Sequence, residues 1–418
     1  MKKIIIFTLT VLAVCSCSDV KVLKVSSPGR ADISSERLVR IDKMIQQYID
    51  SGWVAGAVGL IARDGKIVYS KAFGVSDIET KIPMQTDNIF RIASQTKAIV
   101  SIAAMALFEE GKFLLDDPVS KYIPEFAHPQ VLDQFNEKDT SYTTIPARRE
   151  VTIRDLLTHT SGIDYAGIGS RVMGAIYRKG GVNGGFGNDR IKIGDDIKAL
   201  GKLPLGHQPG EKWTYGLNVD VLGYLVEIWS GQSLDQYLKQ RIFDPLDMDD
   251  TWFYLPAEKH DRLVKVNTED SNRHVRLMPQ EFVNYPLLKG TYFSGGAGLS
   301  STTKDYAVFL QMLLNKGVYK DERILSRRTV ELITSNQIGD LNLNRNKFGL
   351  GFEITTASGQ AVLGISEGTF SWGGIFGTTY WADPAERLIG LLFIQQSPLS
   401  HSDIQSKFKA MVYQALDD

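Results

Sequence analysis

Cysteine is the residue type that this sequence has least of. Its 418 residues include two cysteines, Cys15 and Cys17, and both lie close to the N-terminus. The rest of the chain can therefore form no disulfide of its own and offers no thiolate to a metal ion. The six histidines show no His-Glu-x-x-His or related spacing, so the sequence gives no support to metal catalysis. The fold must therefore be stabilised by the packing of its side chains and not by disulfides.

An excess of one charge is also lacking. The chain carries 47 Lys and Arg residues against 48 Asp and Glu residues, which gives a formal net charge of −1. Proteins that bind nucleic acid normally show a basic excess, so we expect no nucleic acid among the partners. We expect a small-molecule or peptide substrate instead, and no pattern in the sequence indicates a cofactor. A chain of this length can bury a large core in about two domains.

Targeting features are confined to the N-terminus. Two lysines precede an apolar run at residues 4–14, which is the arrangement of a secretory signal and is too short to span a bilayer. The sequence around Cys17 resembles a bacterial lipoprotein cleavage site, which makes residues 1–16 a lipoprotein-type signal peptide and Cys17 the lipidated residue. We therefore expect export to the bacterial cell envelope, periplasmic or at the outer membrane, with a lipid anchor as the only membrane attachment. An ordinary signal peptide with incidental cysteines is the alternative.

Strand-like runs lie towards both ends of the chain, and helical patterns lie between them. The polar residues 17–33 predict a tether. The segments after it with regular periodicity are a helix at 38–49, strands at 57–62 and 66–71 joined by an Asp-Gly hairpin signal, short strands at 348–354, 361–363, 377–381 and 388–395, and a final helix at 404–416. This order predicts an α/β lobe made from residues 34–115 and 293–418, with an inserted helical lobe at 116–292. The cleft between the lobes is the expected site.

The most informative local feature is Ser94-Gln95-Thr96-Lys97. A serine three residues before a lysine lies on the same side of a helix, so the hydroxyl and the amine can touch. A nucleophile and its base can be built in this way without histidine. The apolar residues 98–107 predict a buried helix that ends at Gly111, which places the pair in the first turn, where free N–H groups stabilise an oxyanion. The alternative is a serine N-cap beside a solvated lysine.

Four further segments accompany residues 90–97 in order along the chain, at 107–112, 115–119, 156–162 and 295–301. Together they resemble the serine β-lactamase and penicillin-binding-protein superfamily, and most closely its class C-like branch, which includes carboxylesterases and D-amino-acid peptidases. The resemblance extends from Leu38 to the C-terminus. It implies an α/β (α+β) fold of the β-lactamase/transpeptidase type, with an antiparallel sheet flanked by N- and C-terminal helices and an inserted, mainly helical lobe.

The resemblance also assigns roles by position. It makes Ser94 the acylated nucleophile, Lys97 its partner, and Tyr215 the second base, which belongs to the family's Tyr-x-Asn motif. Two residues after Tyr215, where the family has asparagine, this chain has Leu217, and Asn218 follows one place later as the candidate amide for substrate contact.

The third family motif is normally Lys or His, then Thr or Ser, then Gly, on a strand that lines the cleft. This chain has Trp372-Gly373-Gly374 there, and the next residue, Ile375, would supply the second backbone N–H of the oxyanion hole beside that of Ser94. Trp372 replaces the cation that attracts a substrate carboxylate in the family's β-lactamases and peptidases, and an aromatic wall binds apolar groups instead. We therefore expect a serine hydrolase that cleaves an ester or amide bond through an acyl-enzyme, with an esterase-like preference.

Three alternatives remain. The first is a β-lactamase or D-amino-acid peptidase of the same family. The second is a penicillin-binding or sensing lipoprotein that keeps the fold without turnover. The third is an α/β-hydrolase, because Gly364-Ile365-Ser366-Glu367-Gly368 matches the nucleophile-elbow pattern of that class, although the alternating βα units that this fold requires are missing around Ser366.

Overall fold

The computed structural model describes residues 20–182, 184–187 and 189–418. The predicted signal peptide and Cys17 lie outside these residues. The helices are α1 Ser35–Asp50, α2 Thr96–Glu109, α3 Ile153–Thr158, α4 Arg171–Lys179, α5 Ile193–Gly201, α6 Asn218–Ser230, α7 Leu234–Leu238, α8 Thr303–Leu314, α9 Arg327–Ile333, α10 Ala357–Leu363 and α11 Asp403–Gln414. The strands are β1 Lys24–Val25, β2 Gly56–Arg63, β3 Lys66–Gly74, β4 Phe90–Arg91, β5 Gln130–Phe135, β6 Tyr142–Pro146, β7 Asn267–Glu269, β8 Val275–Leu277, β9 Ser300–Ser301, β10 Val318–Tyr319, β11 Glu322–Arg323, β12 Lys347–Phe348, β13 Glu353–Ile354, β14 Phe370–Gly373, β15 Thr379–Asp383 and β16 Leu388–Phe393.

The central sheet combines strands from both ends of the chain. Its eight strands run in the order β1-β3-β2-β16-β15-β14-β13-β12. All neighbours are antiparallel except β1 and β3, which are parallel. The β2–β3 hairpin turns at Asp64 and Gly65, with φ angles of 51° and 77°. Positive φ at both turn residues matches the twist of the strands, as the Asp-Gly signal predicts.

Helices cover both faces of this sheet. The terminal helices α1 and α11 pack against each other and against β3 and β16, and α8 packs against β2 and β16. On the α1 and α11 side, a separate apolar cluster includes Ile41, Trp381 and Phe408. These contacts confirm the predicted sheet between N- and C-terminal helices.

The helix that follows Ser94 lies at the centre of the molecule. Twelve of the 14 residues of α2 are buried, because α2 packs against α6 on the side away from the sheet. The helix ends as predicted at Gly111, whose φ is 73°. One continuous core joins the sheet to the helices of segment 116–292, so Leu60 and Leu222 belong to the same apolar cluster. The elements that carry the site are therefore packed into one continuous core.

Three local predictions are wrong. Residues 348–354 are not one strand, because β12 and β13 pair with each other and the chain turns between them. Residues 24–33 are not part of a free tether, since β1 pairs with β3 and the side chains of Ala31 and Ile33 are buried against the sheet. Residues 361–363 belong to α10 and not to a strand, because Thr356 caps this helix by accepting a hydrogen bond from the Gly359 N–H. Three apolar residues are too few to distinguish a strand from a helix by periodicity.

Candidate active site

Ser94 lies in a short 3-10 turn, Ala93–Gln95, that leads directly into α2. This is one step earlier than the predicted first turn of the helix. In a 3-10 turn, side chains three residues apart lie above one another, so the closeness of Ser94 and Lys97 is preserved. Ala93 has a φ of 43°, which is unusual for a residue with a side chain. Such backbone strain, about 1 kcal/mol or more, is typical of functional sites.

Lys97 is buried, with 2% of its surface exposed, and its side-chain nitrogen has three oxygen neighbours. Nζ donates hydrogen bonds to Tyr165 Oη and to the Gly296 carbonyl oxygen, both at 2.7 Å, and to Ser94 Oγ at 3.4 Å. Lys97 is therefore the basic side chain within reach of the serine hydroxyl. The predicted pair is in contact.

Tyr165 is a site residue that the sequence interpretation missed. It follows the segment 156–162 but carries no spacing signal that separates it from the other tyrosines of the chain. Its ring lies 5.3 Å from that of Tyr215, centroid to centroid. Burial raises the pKa of Tyr165 well above its usual value, and Tyr215 and Asp220 raise it further. The phenol therefore stays protonated at neutral pH.

Tyr215 packs against Lys97 with the face of its ring. Lys97 Nζ lies 4.6 Å from the centre of the Tyr215 ring, a cation–π distance. Tyr215 Oη accepts a hydrogen bond from the Trp372 indole N–H at 3.4 Å. The two tyrosines therefore contact Lys97 differently. Tyr165 hydrogen-bonds directly to the Lys97 side-chain nitrogen, whereas Tyr215 packs its ring against Lys97 and hydrogen-bonds to Trp372.

The Gly295-Gly296 segment positions Lys97 through a backbone hydrogen bond. The Gly296 N–H donates to Asp220 Oδ1 at 3.1 Å, while its carbonyl accepts from Lys97. A Cβ atom on Gly296 would lie 2.3 Å from Asp220 Oδ2, so this position requires glycine. Burial raises the pKa of Asp220, against the lowering effects of Lys97 and of hydrogen bonds from Ser294 and Gly296.

The candidate oxyanion donors lie on the other side of Ser94. Trp372 and Gly373 end strand β14, and Ile375 follows in the turn towards β15, with 44% of its surface exposed. The backbone N–H groups of Ser94 and Ile375 donate to no other atom within the described residues. Ser94 and Ile375 both line one groove of about 440 Å³. Two free N–H groups beside a nucleophile are what an oxyanion requires.

The family model for Beta-lactamase matches residues 41–410 of this chain. The chain belongs to the β-lactamase family of serine hydrolases. It is 30% identical to the esterase EstB of Burkholderia gladioli, over 84% of this chain and 89% of EstB. It is 31% identical to a putative D-alanyl-D-alanine carboxypeptidase of Escherichia coli K12, over 91% of this chain and 86% of that protein.

Solved structures show the same fold. EstCE1, described as a hydrolase with promiscuous acyltransferase activity, matches with a TM-score of 0.77 and 26% identity, over 90% of this chain and 98% of that chain. The β-lactamase/transpeptidase-like fold predicted from the sequence is thereby confirmed, as is the assignment to the serine hydrolases of this family.

Asn218 does not contact the groove of this β-lactamase-family site. The prediction that its side-chain amide contacts the substrate is therefore wrong. It is fully buried at the start of α6, where its side chain bonds to His159 Nδ1 at 3.0 Å and to Ser161 Oγ. Burial, followed by the charge of Lys97, lowers the pKa of His159 well below its usual value. His159 is therefore a neutral packing partner and not a base.

Other candidate chemistry lies outside this site. Ser366 sits between α10 and β14, away from the groove that contains Ser94.

The part of the chain that the structure describes has no group of three or more His, Cys, Asp or Glu residues that could hold a metal ion. Within residues 20–182, 184–187 and 189–418, no helix is long and apolar enough to cross a membrane.

Proposed function

We propose that this serine hydrolase is an esterase that acts through an acyl-enzyme on Ser94. The observation that carries the proposal is the contact between Ser94 Oγ and the buried Lys97 Nζ at 3.4 Å, beside two free backbone N–H groups. The nucleophile and the oxyanion site thus line one groove, and the buried base contacts the nucleophile, which is the minimum set for acyl transfer.

In the proposed reaction, Lys97 in its amine form takes the proton of Ser94 as Oγ attacks the ester carbonyl. The N–H groups of Ser94 and Ile375 stabilise the oxyanion, and the same proton passes to the departing alkoxide. Water then attacks the acyl-enzyme with Lys97 as base, which releases the acid and restores Ser94. Tyr165 and Gly296 accept hydrogen bonds from the ammonium that forms at Lys97 in each half-reaction.

The ester preference rests on Trp372. Its indole stands where the family's β-lactamases and peptidases place a cation, and it packs within 5.5 Å of the Tyr215 ring, centroid to centroid. An aromatic wall favours an apolar acyl or alcohol group over a terminal carboxylate at this position. The names of EstB and of a lovastatin esterase from Penicillium rubens, 30% identical, support the same choice.

Peptidase or β-lactamase activity is the second candidate, supported by the similarity to the putative D-alanyl-D-alanine carboxypeptidase. A comparison of a short-chain 4-nitrophenyl ester, a chromogenic cephalosporin and a D-alanyl-D-alanine peptide separates the two. We expect kcat/KM to be highest for the ester. Trapping of the cephalosporin without release would instead indicate a penicillin-binding protein without turnover.

Ser94→Ala tests the nucleophile, with Ser366→Ala as its control. We expect Ser94→Ala to lose ester turnover and labelling by a fluorophosphonate, and Ser366→Ala to keep both. Residual turnover in Ser94→Ala, or loss of labelling in Ser366→Ala, would refute the assignment.

We also propose that the mature protein is a lipid-anchored protein of the cell envelope, attached through Cys17. This proposal rests on the sequence motif. Because Lys21 and Leu23 already hydrogen-bond to the folded body, the linker between Cys17 and Lys21 would span at most about 14 Å at 3.6 Å per residue. Metabolic labelling with a palmitate analogue should mark the wild-type protein and not Cys17→Ala; equal labelling of both would contradict it.

A further inference from the structure

The groove that contains Ser94 extends past Trp372 to the C-terminal helix. Beyond the catalytic residues, it is lined by side chains from β13, β14, β15 and α11, namely Glu353, Ser371, Thr379, Gln405 and Lys409. The proposed mechanism uses none of these five. They form a second, polar part of the groove, which we call the α11 subsite.

Lys409 is the cation of the α11 subsite, and it forms no salt bridge within the described residues. Its side chain is half-buried, and Nζ lies 5.1 Å from the centre of the Trp381 ring. Within the described residues, Nζ makes neither a hydrogen bond nor an ion pair. Burial lowers the pKa of Lys409 to about 8, so the ammonium still predominates at pH 7. Lys407, two residues earlier, is by contrast paired with Asp403 at 2.8 Å.

Two hydroxyl groups lie on the same face of the sheet as Lys409. Ser371 is directly opposite Trp381 in the β14–β15 pair, and Thr379 is two residues before Trp381. Residues opposite each other, and residues two apart on a strand, share a face, so both hydroxyls flank the Trp381 ring over which Lys409 lies. Neither hydroxyl has a hydrogen-bond partner within the described part of the chain. An ammonium and two hydroxyls are therefore all available to one ligand.

Glu353 is the negatively charged residue of the α11 subsite. It is opposite Ser371 in the β13–β14 pair, and its Oε1 accepts a hydrogen bond from the Asn346 side-chain amide. It forms no ion pair with Lys409, although its charge favours the ammonium. Removal of this carboxylate would make the subsite more attractive to an anion, and removal of Lys409 would make it less so.

We propose that Lys409, with the hydroxyls of Ser371 and Thr379, binds a carboxylate carried by the substrate. The proposal rests on the proposed esterase function and names its substrate class: esters with an anionic group away from the scissile carbonyl. Because Trp372 and Ser371 point to opposite faces of β14, such a substrate would place its apolar part against Trp372 and pass the end of the strand at Gly373, so that the α11 subsite receives its charged end. The carboxylate could belong to the acyl group or to the alcohol.

Two pairs of esters test the proposal and distinguish these sources. The first pair is 4-nitrophenyl butyrate and 4-nitrophenyl hydrogen glutarate, in which the acyl group carries the charge. The second pair is 3-acetoxybenzamide and 3-acetoxybenzoate, in which the leaving group carries it. The measured quantity is the anionic-to-neutral ratio of kcat/KM within a pair, because this ratio does not depend on the fraction of folded enzyme.

We expect Lys409→Met to lower this ratio about tenfold for at least one pair, which is the size of one hydrogen bond between charged groups. Glu353→Gln should raise the ratio, Lys409→Arg should retain it, and the matched control Lys407→Met should leave it unchanged. Ratios within twofold of wild type for both pairs in Lys409→Met would overturn the subsite.

A binding measurement separates this failure from failure of the proposed function. Calorimetric titration of Ser94→Ala with methyl hydrogen glutarate and methyl butyrate requires no turnover. We expect the anionic ester to bind more tightly, and we expect Lys409→Met in the Ser94→Ala background to abolish that difference. Equal binding of both esters by Ser94→Ala would refute the subsite, whereas lack of Ser94-dependent ester turnover in the wild type would refute the esterase.

Discussion

Tyr165→Phe is the substitution that most directly tests the arrangement around Lys97. It removes one oxygen and leaves the ring in place. Lys97 Nζ has two short contacts, to Tyr165 Oη and to the Gly296 carbonyl, and both are 2.7 Å long. In the variant, the ammonium that forms when Ser94 gives up its proton would lose one of these two acceptors inside a buried site.

The size of the effect follows from this loss. A hydrogen bond to a charged group contributes roughly 1.5–3 kcal/mol. Since each 1.36 kcal/mol changes a rate tenfold, kcat/KM should fall roughly 10- to 150-fold. The assay is the steady-state hydrolysis of 4-nitrophenyl butyrate, with the concentration of active sites measured by fluorophosphonate titration.

Tyr177→Phe is the matched control for this prediction. Tyr177 is a fully buried tyrosine of the same lobe, and its hydroxyl accepts a hydrogen bond from the Asp164 backbone N–H at 3.1 Å. Removal of the Tyr177 hydroxyl should lower the free energy of unfolding, while kcat/KM per active site stays close to that of the wild type. If Tyr165→Phe also retained kcat/KM within twofold, Tyr165 would not support Lys97 and the reasoning would be refuted.

Three further predictions concern glycine, amide and carboxyl groups. Gly296→Ala should lower kcat/KM at least about tenfold, because its Cβ would lie 2.3 Å from Asp220 Oδ2 and displace the carbonyl that holds Lys97; wild-type kinetics would contradict this. Asn218→Ala should lower the free energy of unfolding in urea by about 1–3 kcal/mol and leave KM for a neutral ester unchanged, because its amide bonds to buried groups outside the groove; a raised KM with full stability would restore the amide to the substrate site. Burial raises the pKa of Asp305 from 3.8 to about 6, so its stabilising contribution is present below pH 4 and is lost as pH rises through 6. The difference in unfolding free energy between wild type and Asp305→Asn should therefore shift by about 2 kcal/mol against the wild type between pH 4 and pH 7.5, and a constant difference would refute the shift.

Prediction from the sequence succeeded where the physics is local. The Asp-Gly turn of the β2–β3 hairpin needs positive φ at adjacent residues, and the chain has residues there that tolerate it. The buried helix α2 follows from an apolar run that ends at Gly111. Short apolar runs failed because a cap decides their structure, as at 361–363, where Thr356 begins a helix.

The candidate site divides in the same way. The closeness of Ser94 and Lys97 was determined by the sequence alone, because residues three apart in a helical turn must lie side by side. Tyr165 is 68 positions from Lys97, and Gly296 is 199 positions from it, so only the tertiary packing of their two segments around α2 could bring their oxygens to Nζ.

Tertiary structure also decided which polar side chains face the groove. Asn218 stands one place from the family's asparagine, yet as the first residue of α6 it turns into the core and bonds to His159. Lys409 lies on the C-terminal helix, and the packing of α11 against the sheet places its side chain over Trp381 at the groove. The sequence by itself determined that Ser94 and Lys97 lie in contact, because short-range geometry fixes this pair, and it identified the family through motifs that occur in order along the chain. The supporting tyrosine, the buried amide and the α11 subsite depend on contacts between distant segments, which no local pattern specifies.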